Sequence, residues 1–200
     1  MKQTRKFKNV LITGAQKGIG FELTRQLVQR GDDIRVFASA KSEGQELKDL
    51  QVKSKQLTFF TMDVTDLSSI QSAVQQVSQQ TDSLDLLINN AGVLLEKNTP
   101  VLEVSQQSLI HSFQTNVLGP LLVTNGFFKL LAKNKSLVLN MSSLTGSIEE
   151  TDQRGYASYR ISKAALNMLT KVYSVELGDK TTFVAVHPGY LATDLKEKSE

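Results

Sequence analysis

The chain has 200 residues, of which 40% are hydrophobic and 22% are charged, a balance typical of a globular protein. This length predicts one domain, residues 1–200. The net charge of +3 is too small and too scattered to indicate a surface for nucleic acid. With no cysteine and two histidines, disulfides and thiolate metal sites are excluded, and we expect no metal centre.

The chain begins with MKQTRKFK, in which four of eight residues are basic. No apolar stretch long enough for a signal peptide or a membrane span follows this start. We therefore expect no membrane association. The lack of cysteine fits an intracellular enzyme, so we expect a cytoplasmic location.

Six short apolar runs predict β-strands, and each run is apolar throughout rather than alternating with polar residues. Strands of this kind belong to a parallel sheet that helices cover on both faces. Strand–helix alternation with right-handed crossovers predicts a Rossmann-type doubly wound α/β fold with strand order 3-2-1-4-5-6. The predicted strands are KNVLITG, DIRVFAS, QLTFFTMDV, LDLLINNAG, KSLVLNMSS and TTFVAVHPG, and predicted helices include 18–30, 66–80, 101–131 and 156–178.

The first predicted strand runs directly into TGAQKGIG, which contains Gly14, Gly18 and Gly20. Glycines at a strand–helix turn let the backbone approach a pyrophosphate, and the N-terminus of the next helix attracts its charge. The spacing differs from G-x-G-x-x-G, and a tight loop is the alternative. Because the turn follows the first strand of an α/β pattern, we predict that these glycines and Ile19 bind a dinucleotide.

The end of the second predicted strand indicates which dinucleotide is bound. A carboxylate at this position favours the free ribose of NAD(H), whereas a cation favours the 2′-phosphate of NADP(H). The strand ends in FASAKSEG, with Lys41 and no acidic residue before Glu43, and Lys17 in the glycine turn is a second cation. We therefore predict NADP(H). The alternative is that both lysines are simply solvated.

The stretch YASYRISKAALNMLT contains two tyrosines, of which Tyr159 has Lys163 four residues later, on the same face of a helix. Tyr156 has Arg160 at that offset, and the compact ammonium of lysine makes the Tyr159–Lys163 pair the suggestive one. Lowering a phenol pKa from about 10 by roughly 3 units requires about 4 kcal/mol. One cation about 4 Å away supplies that much at an effective dielectric near 20. We therefore expect Lys163 to lower the pKa of Tyr159 for proton transfer. The alternative is that both tyrosines pack a helix face.

Pro120 lies within the predicted 101–131 helix, four residues after Asn116. A proline in a helix removes the hydrogen bond to the carbonyl four residues earlier. The carbonyl of Asn116 would then be able to hold a water at the site. The alternative is a kink that serves packing alone.

Taken together, these motifs resemble the short-chain dehydrogenase/reductase family. The resemblance covers about residues 8–195, and NMSSLTGSI and YRISKAALN are most similar to its small carbonyl reductases of the sniffer and C-factor type. The segments that carry it, in the family's order, are TGAQKGIG, the MDV containing Asp63, NNAG at 89–92, Asn116, NMSS, YRISK and HPGYLAT.

The resemblance implies a role for each matching residue. Tyr159 would donate a proton, and Ser143, with Ser142 as the alternative, would hydrogen-bond the substrate oxygen. Lys163 would bind the nicotinamide ribose, and Asn116 would hold a water that links Lys163 to solvent. The implied cofactor contacts are Asp63 at the adenine, Asn89, Ala91 and Gly92 along the channel, and Pro188, Gly189 and Thr193 at the nicotinamide end. Asn89, Ala91 and Gly92 would also support the central sheet, and for Thr193 a turn or cap is the alternative.

The function implied by the resemblance is NADPH-dependent reduction of an aldehyde or ketone to an alcohol, or the reverse. Family members usually continue with a helical lid and a seventh strand, so we expect an open pocket in a chain that stops at LKEKSE. Apolar residues in 101–131 and 156–178 predict a homodimer through these helices. The alternatives are a cofactor-binding protein that acts through partners with little or no catalysis, and isomerisation or epimerisation on the same scaffold.

Overall fold

The computed structural model describes residues 7–31, 33–133, 135–151 and 154–189. The strands are β1 (Asn9–Thr13), β2 (Arg35–Ala40), β3 (Leu57–Thr61), β4 (Leu86–Asn89), β5 (Leu137–Met141) and β6 (Thr182–Val186). The α-helices are α1 (Gly18–Gln29), α2 (Gln45–Lys53), α3 (Leu67–Ser78), α4 (Gln106–Phe113), α5 (Gly119–Leu131) and α6 (Ala157–Leu177). Thr193 and the other expectations for the end of the chain lie outside these residues.

The six strands form one parallel sheet in the order β3-β2-β1-β4-β5-β6, which confirms the predicted fold. Val10 of β1 pairs with Val36 of β2 on one side and with Leu86 of β4 on the other. The strand order reverses between β1 and β4. In sheets of this kind the crevice beyond the carboxyl ends of the strands at this reversal is where ligands bind.

Both faces of the sheet are covered, which explains the apolar runs. Successive side chains of a strand point to opposite faces. Leu11 of β1 packs with Phe127 of α5, in the core shared with α3 and α6. Its neighbour Ile12 belongs to the opposite core, which includes Val28 of α1 and Leu47 of α2. Each strand therefore needs apolar side chains at consecutive positions.

The segment 101–131 is not the continuous helix that the sequence predicts. A short 3₁₀ turn (Val101–Glu103) precedes α4, and a π-helical turn (Gln114–Leu118) separates α4 from α5. Pro120 has no N–H for the carbonyl of Asn116. The backbone widens instead, and the N–H of Gly119 donates to the carbonyl of Gln114, five residues earlier. A π turn of this kind is frequent at functional sites.

Within the part of the chain that the structure describes, none of the helices combines the length and the apolar character that crossing a membrane requires.

Candidate active site

A cavity of about 250 Å³ opens beyond the carboxyl ends of the strands, at the reversal between β1 and β4. Its wall brings together segments that are far apart in the sequence. The lining includes the predicted residues Gly14, Lys17, Gly18, Ile19, Lys41, Ala91, Gly92, Tyr159, Lys163 and Pro188, together with Ser142, Thr115, Asn90 and Met141.

The glycine turn after β1 lies in backbone contact with the segment after β4. Gly14 has φ of +67° and Gly18 of +56°, a region that glycine adopts without steric cost. A Cβ on Gly14 would lie 2.8 Å from the Cα of Ala91, and one on Gly20 would lie 2.3 Å from the carbonyl oxygen of Gly14. Both glycines are therefore required by close packing within the protein itself.

Hydrogen bonds fasten the same two segments. The Thr13 hydroxyl accepts from the backbone N–H groups of Asn90 and Ala91 at 3.0 and 3.1 Å. The side-chain amide of Asn90 donates to the carbonyls of Thr13 and Gly14. The sequence reasoning missed Thr13, although it directly precedes the first glycine of the turn.

The N-terminus of α1 faces this cavity. The helix begins at Gly18, and no side chain caps its first N–H groups or places an acid in its first turn. These groups have no partner within the helix. Such a helix end suits a phosphate group.

Lys41 and Asp63, predicted to hold different parts of a cofactor, are paired with each other. Lys41 Nζ lies 2.9 Å from Asp63 Oδ2. The other oxygen of Asp63 accepts from the N–H and the hydroxyl of Thr65. Partial burial raises the pKa of the Asp63 carboxyl, but the hydrogen bonds from Lys41 and Thr65 outweigh it, so that the pKa lies below its ordinary value.

Tyr159 and Lys163 face the cavity from α6, and both side chains are largely buried. Lys163 Nζ donates to the carbonyl of Met141 at 2.7 Å and lies 5.3 Å from the centre of the Tyr159 ring. Burial lowers the pKa of Lys163 to about 8, because the charged form loses its solvation.

The pKa of Tyr159 departs from its ordinary value in the direction opposite to the one expected. Burial raises it, and a hydrogen bond from Ser143 offsets this only in part. The expectation that Lys163 lowers the pKa of Tyr159 is therefore wrong for the protein without cofactor. The ammonium lies against the ring and the Met141 carbonyl, and burial disfavours the tyrosinate more than this cation favours it.

The two serines of NMSS have different partners. Ser143 lies near enough to Tyr159 to lower the pKa of its phenol, and the Ser143 oxygen accepts from the N–H and the hydroxyl of Thr145. Ser142 lines the cavity, but its hydroxyl donates to Asn167 at 2.6 Å. The structure thus brings Ser143 to the tyrosine and holds Ser142 in a separate contact.

Asn116 lies in the π turn and is fully buried. Its side-chain oxygen accepts from the N–H of Val93, and its amide donates to the Val93 carbonyl and to the Ser162 hydroxyl. Ser162 in turn donates to the backbone carbonyl of Tyr159 at 2.7 Å. One hydroxyl therefore joins the π turn to the turn of α6 that carries Tyr159. The sequence reasoning missed Ser162, which directly precedes Lys163 in YRISK.

Asn89 supports the sheet from within and does not line the cavity. Its amide donates to Thr124 of α5 and to Asn140 of β5, and Asn140 donates to Thr170 of α6. These buried side chains attach the centre of the sheet to α5 and to α6, the helix that carries Tyr159 and Lys163. Thr124, Asn140 and Thr170 were not predicted, because nothing in the local pattern distinguishes them from surface polar residues.

Tyr156, the tyrosine that was not assigned to the site, is not among the residues that line the cavity. Tyr156 precedes α6 with a left-handed backbone, φ +60°, and its ring lies 5.9 Å from the guanidinium carbon of Arg160. Gly189, at the end of the described chain, has φ of +88°.

The model of the short chain dehydrogenase family matches residues 8–200, and the chain belongs to this family. An uncharacterized oxidoreductase of Schizosaccharomyces pombe is 36% identical over 192 residues, which cover 94% of this chain and 75% of that protein.

Two solved structures are also similar. The NADPH-bound carbonyl reductase from chicken fatty liver has a TM-score of 0.89 and 32% identity, covering 98% of this chain and 84% of that one. The carbonyl reductase Sniffer of D. melanogaster has a TM-score of 0.90 and 28% identity, covering 95% and 84%. The predicted resemblance to sniffer-like proteins is thus confirmed.

Burial of the charged Lys163 side chain should lower the stability of the fold, although this lysine is a predicted site residue. Its folded pKa of about 8 lies below the ordinary 10.5, so its contribution to stability rises with pH between these values. We expect Lys163→Met to raise the free energy of unfolding of the cofactor-free protein at pH 7. The expected gain in the free energy of unfolding is about 2 kcal/mol. It is the free energy that corresponds to the difference between the folded and the ordinary pKa, less the contribution of the one hydrogen bond that is lost. Urea denaturation at pH 7 and about pH 10 measures it.

The matched control is Lys171→Met, which removes an exposed lysine from the same helix and should change stability little at either pH. A loss of stability in Lys163→Met at pH 7 would contradict the prediction.

Proposed function

We propose that this protein reduces an aldehyde or ketone to an alcohol with NADPH, or catalyses the reverse reaction, through Ser143, Tyr159 and Lys163. The observation that carries the proposal is the arrangement of Tyr159, with Ser143 nearby and Lys163 beside its ring, in the cavity that the glycine turn also lines. Two similar structures, both of carbonyl reductases, support the same chemistry.

The bound cofactor supplies the hydride, and the protein supplies the proton. The Tyr159 phenol, whose pKa burial raises, is protonated at neutral pH and would donate its proton to the carbonyl oxygen in the reducing direction. Ser143 donates a hydrogen bond to the same oxygen as negative charge develops there. Lys163, still mainly protonated at neutral pH, stabilises the tyrosinate that remains after transfer.

Tyr159 has to regain a proton before the next turnover. Asn116 is well placed to assist, since Gly92 separates it only narrowly from Lys163: a Cβ on Gly92 would lie 3.1 Å from Asn116 Oδ1 and 3.8 Å from Lys163 Nζ. The helix cannot use the Asn116 carbonyl in an α-helical bond, because Pro120 follows four residues later. We assign to this carbonyl a water that passes protons from solvent to Lys163.

The residues around the cavity fit a dinucleotide. The glycine turn and the uncapped N-terminus of α1 would hold the pyrophosphate, and Ala91, Gly92, Pro188 and Gly189 would line the path to the nicotinamide. Asp63 would hold the adenine. Lys17 and Lys41 would bind a 2′-phosphate, which favours NADP(H) over NAD(H).

We expect Tyr159→Phe to lower kcat for carbonyl reduction by about 10² to 10⁴, the usual contribution of a general acid. Cofactor affinity should change little, because only the hydroxyl is removed. Stopped-flow oxidation of NADPH with a panel of aldehydes and ketones measures the rate, and isothermal titration calorimetry measures the affinity.

The control is Tyr156→Phe, which should retain near-normal activity, since this tyrosine is not among the residues that line the cavity. Loss of activity in Tyr156→Phe, or its survival in Tyr159→Phe, would show that the wrong tyrosine was assigned. NADPH binding by the unmutated protein without oxidation by any carbonyl in the panel would favour the non-catalytic alternative.

Cofactor preference tests the two lysines. NADPH should bind more tightly than NADH, and the difference should shrink as salt screens the exposed cations. Lys41→Asp should reverse the order of affinities, because the carboxylate repels a 2′-phosphate and accepts from a free ribose. Fluorescence titrations at low and high salt provide the measurement. Equal affinities in the unmutated protein would refute the assignment.

We also propose that the protein is a homodimer through α4, α5 and α6. On α6 the exposed apolar residues Ile161, Met168, Val172 and Val175 recur at spacings of seven, four and three, which places them on one helix face. Ile110 and Phe113 of α4 and Leu118 of the π turn are also partly exposed. Apolar surface of this extent indicates an interface, and a second copy related by a two-fold axis would cover it.

Introducing charge on this face should produce a monomer. We expect Met168→Glu combined with Val175→Glu to halve the mass observed by sedimentation velocity, because two carboxylates would be buried against a second copy. Val52→Glu is the control, since Val52 is 89% exposed on α2, on the other side of the sheet. A monomeric unmutated protein would contradict the proposal.

A further inference from the structure

The ion pair between Lys41 and Asp63 joins two places where the proposed function puts different parts of NADPH. Lys41 follows β2 and Asp63 follows β3, and the N–H of Met62 donates to the carbonyl of Ala40 between them. The neighbouring strands therefore hold the two side chains together at the same edge of the sheet. In that position the lysine is within reach of an acidic residue that the cofactor also needs.

The side chains of Asp63 and Lys41 differ in how freely they can move. Asp63 is held by Thr65 through its second oxygen, and its side chain is 32% exposed. The side chain of Lys41 is 60% exposed, and its ammonium has Asp63 as its partner. Asp63 is thus the fixed member of the pair. Lys41, on four rotatable bonds, is the member that can exchange partners.

We propose that Asp63 competes with the 2′-phosphate of the cofactor for Lys41, and that this competition sets how strongly the protein prefers NADPH to NADH. This inference rests on the proposed cofactor. NADPH has to draw the lysine away from the carboxylate, whereas NADH leaves the ion pair intact. The ion pair therefore makes the preference for NADPH over NADH smaller than it would be if Lys41 had no acidic partner.

The size of the effect follows from the exposure of the pair. Ion pairs between exposed side chains contribute little, and the range measured for them corresponds to about a 1.4-fold to fivefold change in an equilibrium constant. Because NADPH has to break the pair in order to bind, the presence of the pair should weaken NADPH binding by a factor in this range. High salt should reduce the effect, since both charges are accessible to ions.

A double-mutant cycle on cofactor selectivity tests the competition. Calorimetry gives the ratio of the NADH to the NADPH dissociation constant for the unmutated protein, Asp63→Asn, Lys41→Met and the double variant. The ratio cancels any contact that Asp63 makes with the adenine, which both cofactors share. We expect Asp63→Asn to raise the ratio about 1.4-fold to fivefold more in the presence of Lys41 than in the Lys41→Met background.

Two exposed charges on α2 provide the controls. Lys48 pairs with Glu43 at 4.0 Å, and Asp49 accepts from Gln45, and neither residue lines the cavity. Lys48→Met and Asp49→Asn change the net charge by the same amounts as the test variants. Both should leave the ratio unchanged within about 1.4-fold.

A second measurement follows Asp63 itself. Carboxyl ¹³C chemical shifts recorded against pH should show that NADPH raises the pKa of Asp63, because the carboxylate loses Lys41 and gains a nearby phosphate. NADH would make the same adenine contact but leave Lys41 in place, so the pKa of Asp63 should be lower in the NADH complex than in the NADPH complex.

The outcomes separate the inference from the proposed function. If both cofactors bind but Asp63→Asn changes the ratio equally with and without Lys41, the competition is refuted and the proposed cofactor stands. If Asp63→Asn lowers the ratio only when Lys41 is present, the pair assists NADPH and the inference is refuted. If neither cofactor binds the unmutated protein, the proposed function fails and the inference fails with it.

Discussion

The contact between the glycine turn after β1 and the segment after β4 is the constraint on which the rest of the site depends. Gly14 packs on Ala91, and Thr13 and Asn90 exchange hydrogen bonds across the same junction. A side chain on Gly14 would separate the two strands where their order reverses. The crevice, the start of α1 and the path beside Gly92 all take their positions from this close approach.

A second junction joins the helices. Pro120 prevents an α-helical bond to Asn116, the backbone widens into a π turn, and the buried Asn116 is then bonded by Val93 and Ser162. Ser162 also holds the carbonyl of Tyr159. The irregularity that proline causes in one helix therefore sets the position of the tyrosine on another, because buried polar groups need partners with defined geometry.

Burial controls the electrostatics of the site more than any single charge does. It raises the pKa of Tyr159 and lowers that of Lys163, so each group is drawn toward its neutral form. In the absence of cofactor, burial therefore favours the protonated phenol of Tyr159 over a tyrosinate. Nearer the surface, the hydrogen bonds from Lys41 and Thr65 outweigh partial burial and hold the pKa of Asp63 below its ordinary value.

The sequence by itself determined the strands, their order, the glycine turn and the Tyr159–Lys163 pair. The signals for these features are runs of apolar residues, glycines at a turn and the spacing of residues on a helix, and each signal involves only residues that are close along the chain. It also located the irregularity at Pro120, but not its form as a π turn. Only the tertiary structure decided that Lys41 meets Asp63, that Ser162 holds Asn116, and that Tyr159 is more strongly affected by burial than by Lys163. These contacts depend on distances and solvent exposure that exist only after distant segments have packed together.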